Sequence, residues 1–245
     1  MDDDGVTTNP FAGTTPGLPA GVAAAVLRRT VDGLHRLAEQ VLAADRHRSE
    51  GRIGLRPTAG GIGTPPFPAD GTTREVRIEG VELVCVEGEV ERRLPVTTIG
   101  AAGTFLDLVP GAPPVYGAAT ALEPDLPLRL DPVAVAAVAD WLAVGAEALS
   151  VIVARYGVAP PVLWPEHFDL AVSVDECNLG VSPGDDGHPV PYAYVGPWSP
   201  PPVGSDGGWW NQPYGRAVAA TELRGAADLV DLFEEGLRRL GPTAG

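Results

Sequence analysis

Two short groups in this chain combine imidazole with carboxylate. They are Glu166-His167-Phe168-Asp169 and Asp185-Asp186-Gly187-His188. Side chains alternate between the two faces of a strand. Read as one strand over 162–174, the first group sends Trp164, Glu166, Phe168 and Leu170 to a core face, and His167 and Asp169 to the other. A histidine and an aspartate sharing a face can ligate a metal or orient an imidazole. Glu166, at the rim of the core, is the candidate catalytic acid or base, because burial raises a carboxyl pKa. If the second group returns beside the first, His167, Asp169, Asp185 and His188 form a ligand set for a divalent metal. Such a site suits a metal-dependent hydrolase or lyase. Tyr192, Tyr194, Trp209 and Trp210 complete the candidate ligand-binding residues, as rings that can stack on a small molecule or a partner protein.

The same residues carry plainer readings. Pro183-Gly-Asp-Asp-Gly187 is turn chemistry, and tryptophans in a Pro/Gly-rich loop often pin it to a core. No H-E-x-x-H, G-x-S-x-G or G-x-G-x-x-G pattern occurs. The cluster Arg46, Arg48, Arg52 and Arg56, with His47 inside it, can hold an anion but more readily pairs with neighbouring acids. His35 lies on an apolar helix stripe and reads as a packing residue.

Composition narrows the classes. A net charge of −15 opposes nucleic acid as a partner. All 17 basic residues are arginine, which removes Schiff-base and Walker lysines. The two cysteines, Cys85 and Cys177, form no zinc or disulfide pattern. With an acidic start and no signal-like segment, they predict a cytoplasmic protein. The apolar run 133–154 has the length of a membrane span. Asp140 and Glu147 interrupt it on one helical face, which predicts an amphipathic core helix and no membrane partner.

Positioning these residues requires a scaffold, and the patterns predict one. Residues 1–20 read as a loose leader. Helices are expected over 20–48, 98–108, 131–156 and 225–240. Strands are expected near 51–57, 74–79, 81–87, 89–97, 162–174, 190–196 and 216–221, with Gly80 and Gly88 as hairpin turns. The segment Arg92…Leu108 aligns with Arg216…Leu232, and Leu55…Ile62 with Leu163…Leu170. The expected fold is therefore α+β, an antiparallel sheet with flanking helices. Two pseudo-symmetric halves, about 21–112 and 131–242, would share a single domain over 21–245.

Phe168-Asp-Leu-Ala-Val172, Tyr192-Ala-Tyr194, Leu55, Gly60-Gly61 and Thr64-x-Pro66, in this order of elements, resemble an uncharacterised bacterial family known only as a domain of unknown function. The resemblance implies an intracellular α+β protein and brings no activity; Glu166-His167 lies outside it. Three functions remain open: a small-ligand-binding or accessory protein with a pocket in the second half, the metal-dependent enzyme, or a protein-interaction module.

Overall fold

The computed structural model describes residues 9–12 and 22–241. The fold is α+β, with helices and antiparallel sheets. The chain packs as two compact units that do not coincide with the sequence halves. Gly21–Ala139 with Val162–Asp169 form a meander unit; Met1–Ala20, Asp140–Pro161 and Leu170–Gly245 form a C-terminal unit.

In the meander unit, helix α1 (Ala24–Leu37) buries the stripe Leu27, Val31 and Leu34. It passes through a single π turn (Ala38–Leu42) into α2 (Ala43–Glu50), which Gly51 ends at φ 72°. Every residue from 37 to 46 is buried, which a helix packed on one side cannot achieve. The long connection after α3 (Ile99–Leu106) provides the second cover. Gly111 N–H donates to the Gln40 carbonyl at 3.0 Å, and the Gln40 amide donates to the Thr120 and Ala121 carbonyls at 3.2 and 3.0 Å.

The sheet comprises β1 (Arg56–Thr58), β2 (Gly61–Gly63), β3 (Phe67–Ala69), β4 (Thr72–Glu79), β5 (Glu82–Glu87) and β6 (Val90–Pro95), in the order β1-β2-β4-β5-β6 with β3 also on β4. Gly80 and Gly88 make the predicted turns at φ 60° and 59°. Along β4, Arg74, Val76 and Ile78 face inward. On the outer side Arg77 and Arg93 pair with Glu79, Glu82 and Glu91. The edge strand β6 thus carries charge that discourages further pairing. A later strand, β7 (Val162–Trp164), returns to this unit: Leu55 and Leu163 exchange backbone hydrogen bonds of 2.9 and 3.0 Å.

Helix α4 (Pro132–Tyr156) starts where Asp131 Oδ1 accepts from the Val133 and Ala134 N–H groups, both at 3.0 Å, with Pro132 at the first position. It is the one described helix long and apolar enough to cross a membrane. Of its most apolar window, 61% is buried inside the protein. Asp140 and Glu147 are exposed while Trp141, Leu142 and Leu149 are buried, as the sequence predicts.

In the C-terminal unit, β8 (Asp169–Val174), β9 (Cys177–Ser182), β10 (Tyr192–Pro197) and β11 (Arg216–Ala219) pair antiparallel in that order. Gly145 lets α4 lie close to β9, since a Cβ there would come within 2.3 Å of Val181. Trp141 Nε1 donates to the Ser182 carbonyl at 2.9 Å. A short turn, α5 (Ser205–Gly208), and helix α6 (Ala226–Leu240) follow, α6 burying Leu229 and Phe233.

Three expectations need correction. Residues 9–12 fall within the segment expected to be a loose leader, yet Phe11 is buried edge-on against Trp141, and Asn9 donates to the Ala220 and Leu223 carbonyls at 2.7 Å each. The rest of that segment lies outside the described residues. The strand expected over 162–174 is broken: the Phe168 N–H closes a turn onto the Trp164 carbonyl at 2.8 Å, and Phe168 sits at φ 52°. Strand β9 was not anticipated, because its hairpin turn is Asp175-Glu176, both at positive φ, where glycine or asparagine would have signalled it.

Candidate functional site

The broken strand rearranges the first predicted group. Leu163 is buried and Trp164 is 37% exposed, the reverse of the expected faces. The turn resets the alternation, so His167 is exposed while Asp169 is buried, and the two do not present a common face. Among the described residues no group of three or more His, Cys, Asp or Glu is placed to hold a metal ion. The four-ligand set of His167, Asp169, Asp185 and His188 is therefore not formed. Glu166 stands in the turn after β7, its Oε2 buried without a hydrogen-bond partner.

The second group does assemble with its aromatic neighbours. Asp185 Oδ1 accepts from the Gly187 and His188 N–H groups at 2.7 and 2.8 Å, and Oδ2 accepts from the Tyr192 hydroxyl at 2.6 Å. The His188 ring lies 4.7 Å from Tyr192 and 6.1 Å from Tyr214, and Tyr214 Oη is 3.5 Å from Nδ1. Burial, then the Asp185 carboxylate, raises the Tyr192 phenol. Both Asp185 oxygens are thus committed to closing the loop between β9 and β10. Tyr194 lies over Gly180, where a Cβ would meet its hydroxyl at 2.7 Å.

The tryptophans divide their roles. Trp210 is buried. Trp209 packs on it with ring centroids 4.4 Å apart, under the guanidiniums of Arg216 and Arg239 at 5.5 and 5.1 Å. Gly236 makes room on α6, since a Cβ there would come within 3.1 Å of Trp209. These rings fasten the 198–215 loop to the unit. Trp198 instead remains 63% exposed.

Three of the four clustered arginines pair with acids: Arg46 with Glu50 at 2.6 Å, Arg48 with Asp45 at 2.9 Å, and Arg56 with Glu75 at 3.3 Å. Neither cysteine resembles a nucleophile. Burial raises both thiols, Cys177 to about 12.

Sequence reasoning missed a concavity in the C-terminal unit of about 570 Å³, within the range of small-molecule sites. Tyr156 at the end of α4, Leu237 and Leu240 on α6, and Pro197 give it apolar wall; Asp175, Glu176 and Glu234 give it three carboxylates, with Arg238 also in the lining. The cations nearby are spent: Arg155 pairs with Glu234 and Arg238 with Glu235. No side-chain partner of Asp175 or Glu176 is found among the described residues, and both are exposed. The turn that carries them is strained, since each non-glycine residue in the left-handed region costs on the order of 1 kcal/mol. No sequence signal marked this place, because its lining is drawn from four separate elements.

No family model, curated protein or solved structure matches the chain.

Proposed function

We propose that the protein is a small-ligand-binding module whose site is the concavity of the C-terminal unit. Its ligand would join positive charge to an apolar body. The observation that carries this is the pairing of two uncompensated carboxylates, Asp175 and Glu176, with Tyr156, Leu237 and Leu240 around one hollow. Aromatic and carboxylate walls together recognise organic cations, and a chain of net charge −15 attracts them from a distance. A second reading, a docking site for a basic side chain of a partner protein, is favoured by the exposed ring of Trp198 beside Ser199 of the lining. A cytoplasmic setting, the resemblance to the uncharacterised bacterial family and the internal duplication belong to the same proposal. The mutual bonding of Leu55 and Leu163, which the sequence alignment equates, supports the duplication.

Titration calorimetry of the full chain with benzyltrimethylammonium tests the reading. Saturable binding is expected, weakened about tenfold or more in the double variant Asp175→Asn, Glu176→Gln. Equal binding of benzoate, or an unchanged affinity in the double variant, overturns it.

A further inference from the structure

The meander unit holds a separate set of polar atoms that its own fold leaves open. Glu39, fully buried in the π turn, is met by the Ala119 and Thr120 N–H groups at 2.8 Å each and by the Thr120 hydroxyl at 2.5 Å. No cation pairs with it among the described residues. One turn earlier His35 stacks on Phe168, centroids 5.3 Å apart and rings 9° from parallel, and hydrogen-bonds the Pro165 carbonyl. Its Nε2 is buried without a partner, as are Gln40 Oε1, Tyr116 Oη and Glu166 Oε2. Gln40 is 1% exposed, and its amide nitrogen is already committed to Thr120 and Ala121, so its open atom is an acceptor.

These atoms belong to one neighbourhood. Pro165 and Phe168, which flank Glu166 and His167 in the turn after β7, both meet His35. Tyr116 is raised by burial and then by the carboxylates of both Glu39 and Glu166. With the other ring nitrogen bonded to Pro165, His35 Nε2 can only accept; a glutamate carboxylate accepts as well. Apart from the Tyr116 hydroxyl the set therefore lacks donors, and it lacks positive charge altogether. A chain whose basic residues are all arginine has no ammonium side chain of its own to offer. We infer that this is a binding site for a primary ammonium group, its N–H bonds directed to His35 Nε2, Glu166 Oε2 and Tyr116 Oη, with Glu39 balancing the charge. Gly117, Ala118 and Ala119 of the covering connection are exposed, so a small amine has one thin segment to pass.

The test is a thermal-shift titration of the full chain with methylammonium chloride, against tetramethylammonium chloride and sodium chloride at equal concentration. Methylammonium is expected to raise the Tm saturably and the controls not to. Tyr116→Phe and Glu166→Gln should each weaken the effect about tenfold without lowering the amine-free Tm. Equal shifts from tetramethylammonium, or unaltered methylammonium binding in both variants, overturn the site. A crystal structure in which an ordered water on these atoms persists in methylammonium does so too. Benzyltrimethylammonium has no N–H donor, so the outcome here and the outcome at the concavity are independent.

Discussion

Two carboxylates on the same helical run, Glu39 and Asp45, are both wholly buried and are stabilised in opposite ways. Asp45 meets guanidinium: Arg74 at 3.2 Å, itself 4% exposed in its side chain, and Arg48 at 2.9 Å. Arg74 in turn reaches Glu87 at 3.6 Å and donates to the Leu106 carbonyl at 3.1 Å. Burial raises Asp45, and the two arginines partly reverse the shift. Glu39 meets two N–H groups and a hydroxyl, and the polar atoms around it stay unpaired. An ion cluster that balances its charges reads as architecture, even though Asp45 Oδ2 and Arg74 Nε meet there without hydrogen-bond geometry. A buried anion with no cation, on a helical run that leaves further buried polar atoms unmet, reads as a place prepared for something else, because each unmet buried group costs about 1–3 kcal/mol.

The largest expected effect breaks the ion-paired half of the comparison. Asp45→Ala strands Arg74 and should cost about 3–5 kcal/mol in urea unfolding. Asp45→Leu with Arg74→Met should recover much of that loss, since an apolar pair avoids the desolvation. A double variant no more stable than the single one would show that the charges themselves specify the packing. Next, Glu39→Ala frees two N–H groups and a hydroxyl of the covering connection and should cost about 2 kcal/mol. Amide hydrogen exchange should rise at Ala119 and Thr120 while Asp45 keeps its surroundings. If protection is lost equally around α2, the two centres are not separate.

A smaller effect comes from pH. Burial lowers His35, against the opposing pull of Glu39, the Pro165 carbonyl and Asp32, with His167 reinforcing it. The folded protein thus binds this proton less tightly than the unfolded chain does. The stability from neutral His35 is complete above its ordinary value near 6.5 and is lost as pH falls from there through the lowered value. His35→Phe should flatten that part of the stability–pH curve, and an unchanged slope would move the titration elsewhere. The smallest effect is at the surface: Arg93→Ala removes three exposed ion pairs and should leave the urea midpoint where it was.

Local chemistry made much of the scaffold legible. Gly80 and Gly88 announce two hairpins, and Asp131-Pro132 announces α4. Strand β9 escaped because Asp175-Glu176 is turn geometry without the glycine or asparagine that marks such a turn. The site residues were readable only in part. Asp185, His188 and Tyr192 do meet, since one short loop joins them, whereas His167 and Asp169 were separated by a turn that Phe168 makes against its own preference. Glu39 and Tyr116 gave no signal at all. Their partnership depends on a connection some eighty residues away in sequence folding back over the helix, as the separation between Glu39 and Thr120 shows. Such long-range cover leaves no period or spacing behind it.

The insertion of Phe11 beside Trp141 bears on how this protein is produced and trimmed. Its buried ring packs edge-on against Trp141 with centroids 6.4 Å apart, and Asn9 supplies the hydrogen-bond donor for two carbonyls just before α6. A recombinant chain begun at Val22 would lose this ring contact and both of these hydrogen bonds. Shortening the amino terminus for convenience would therefore loosen the far end of the sequence.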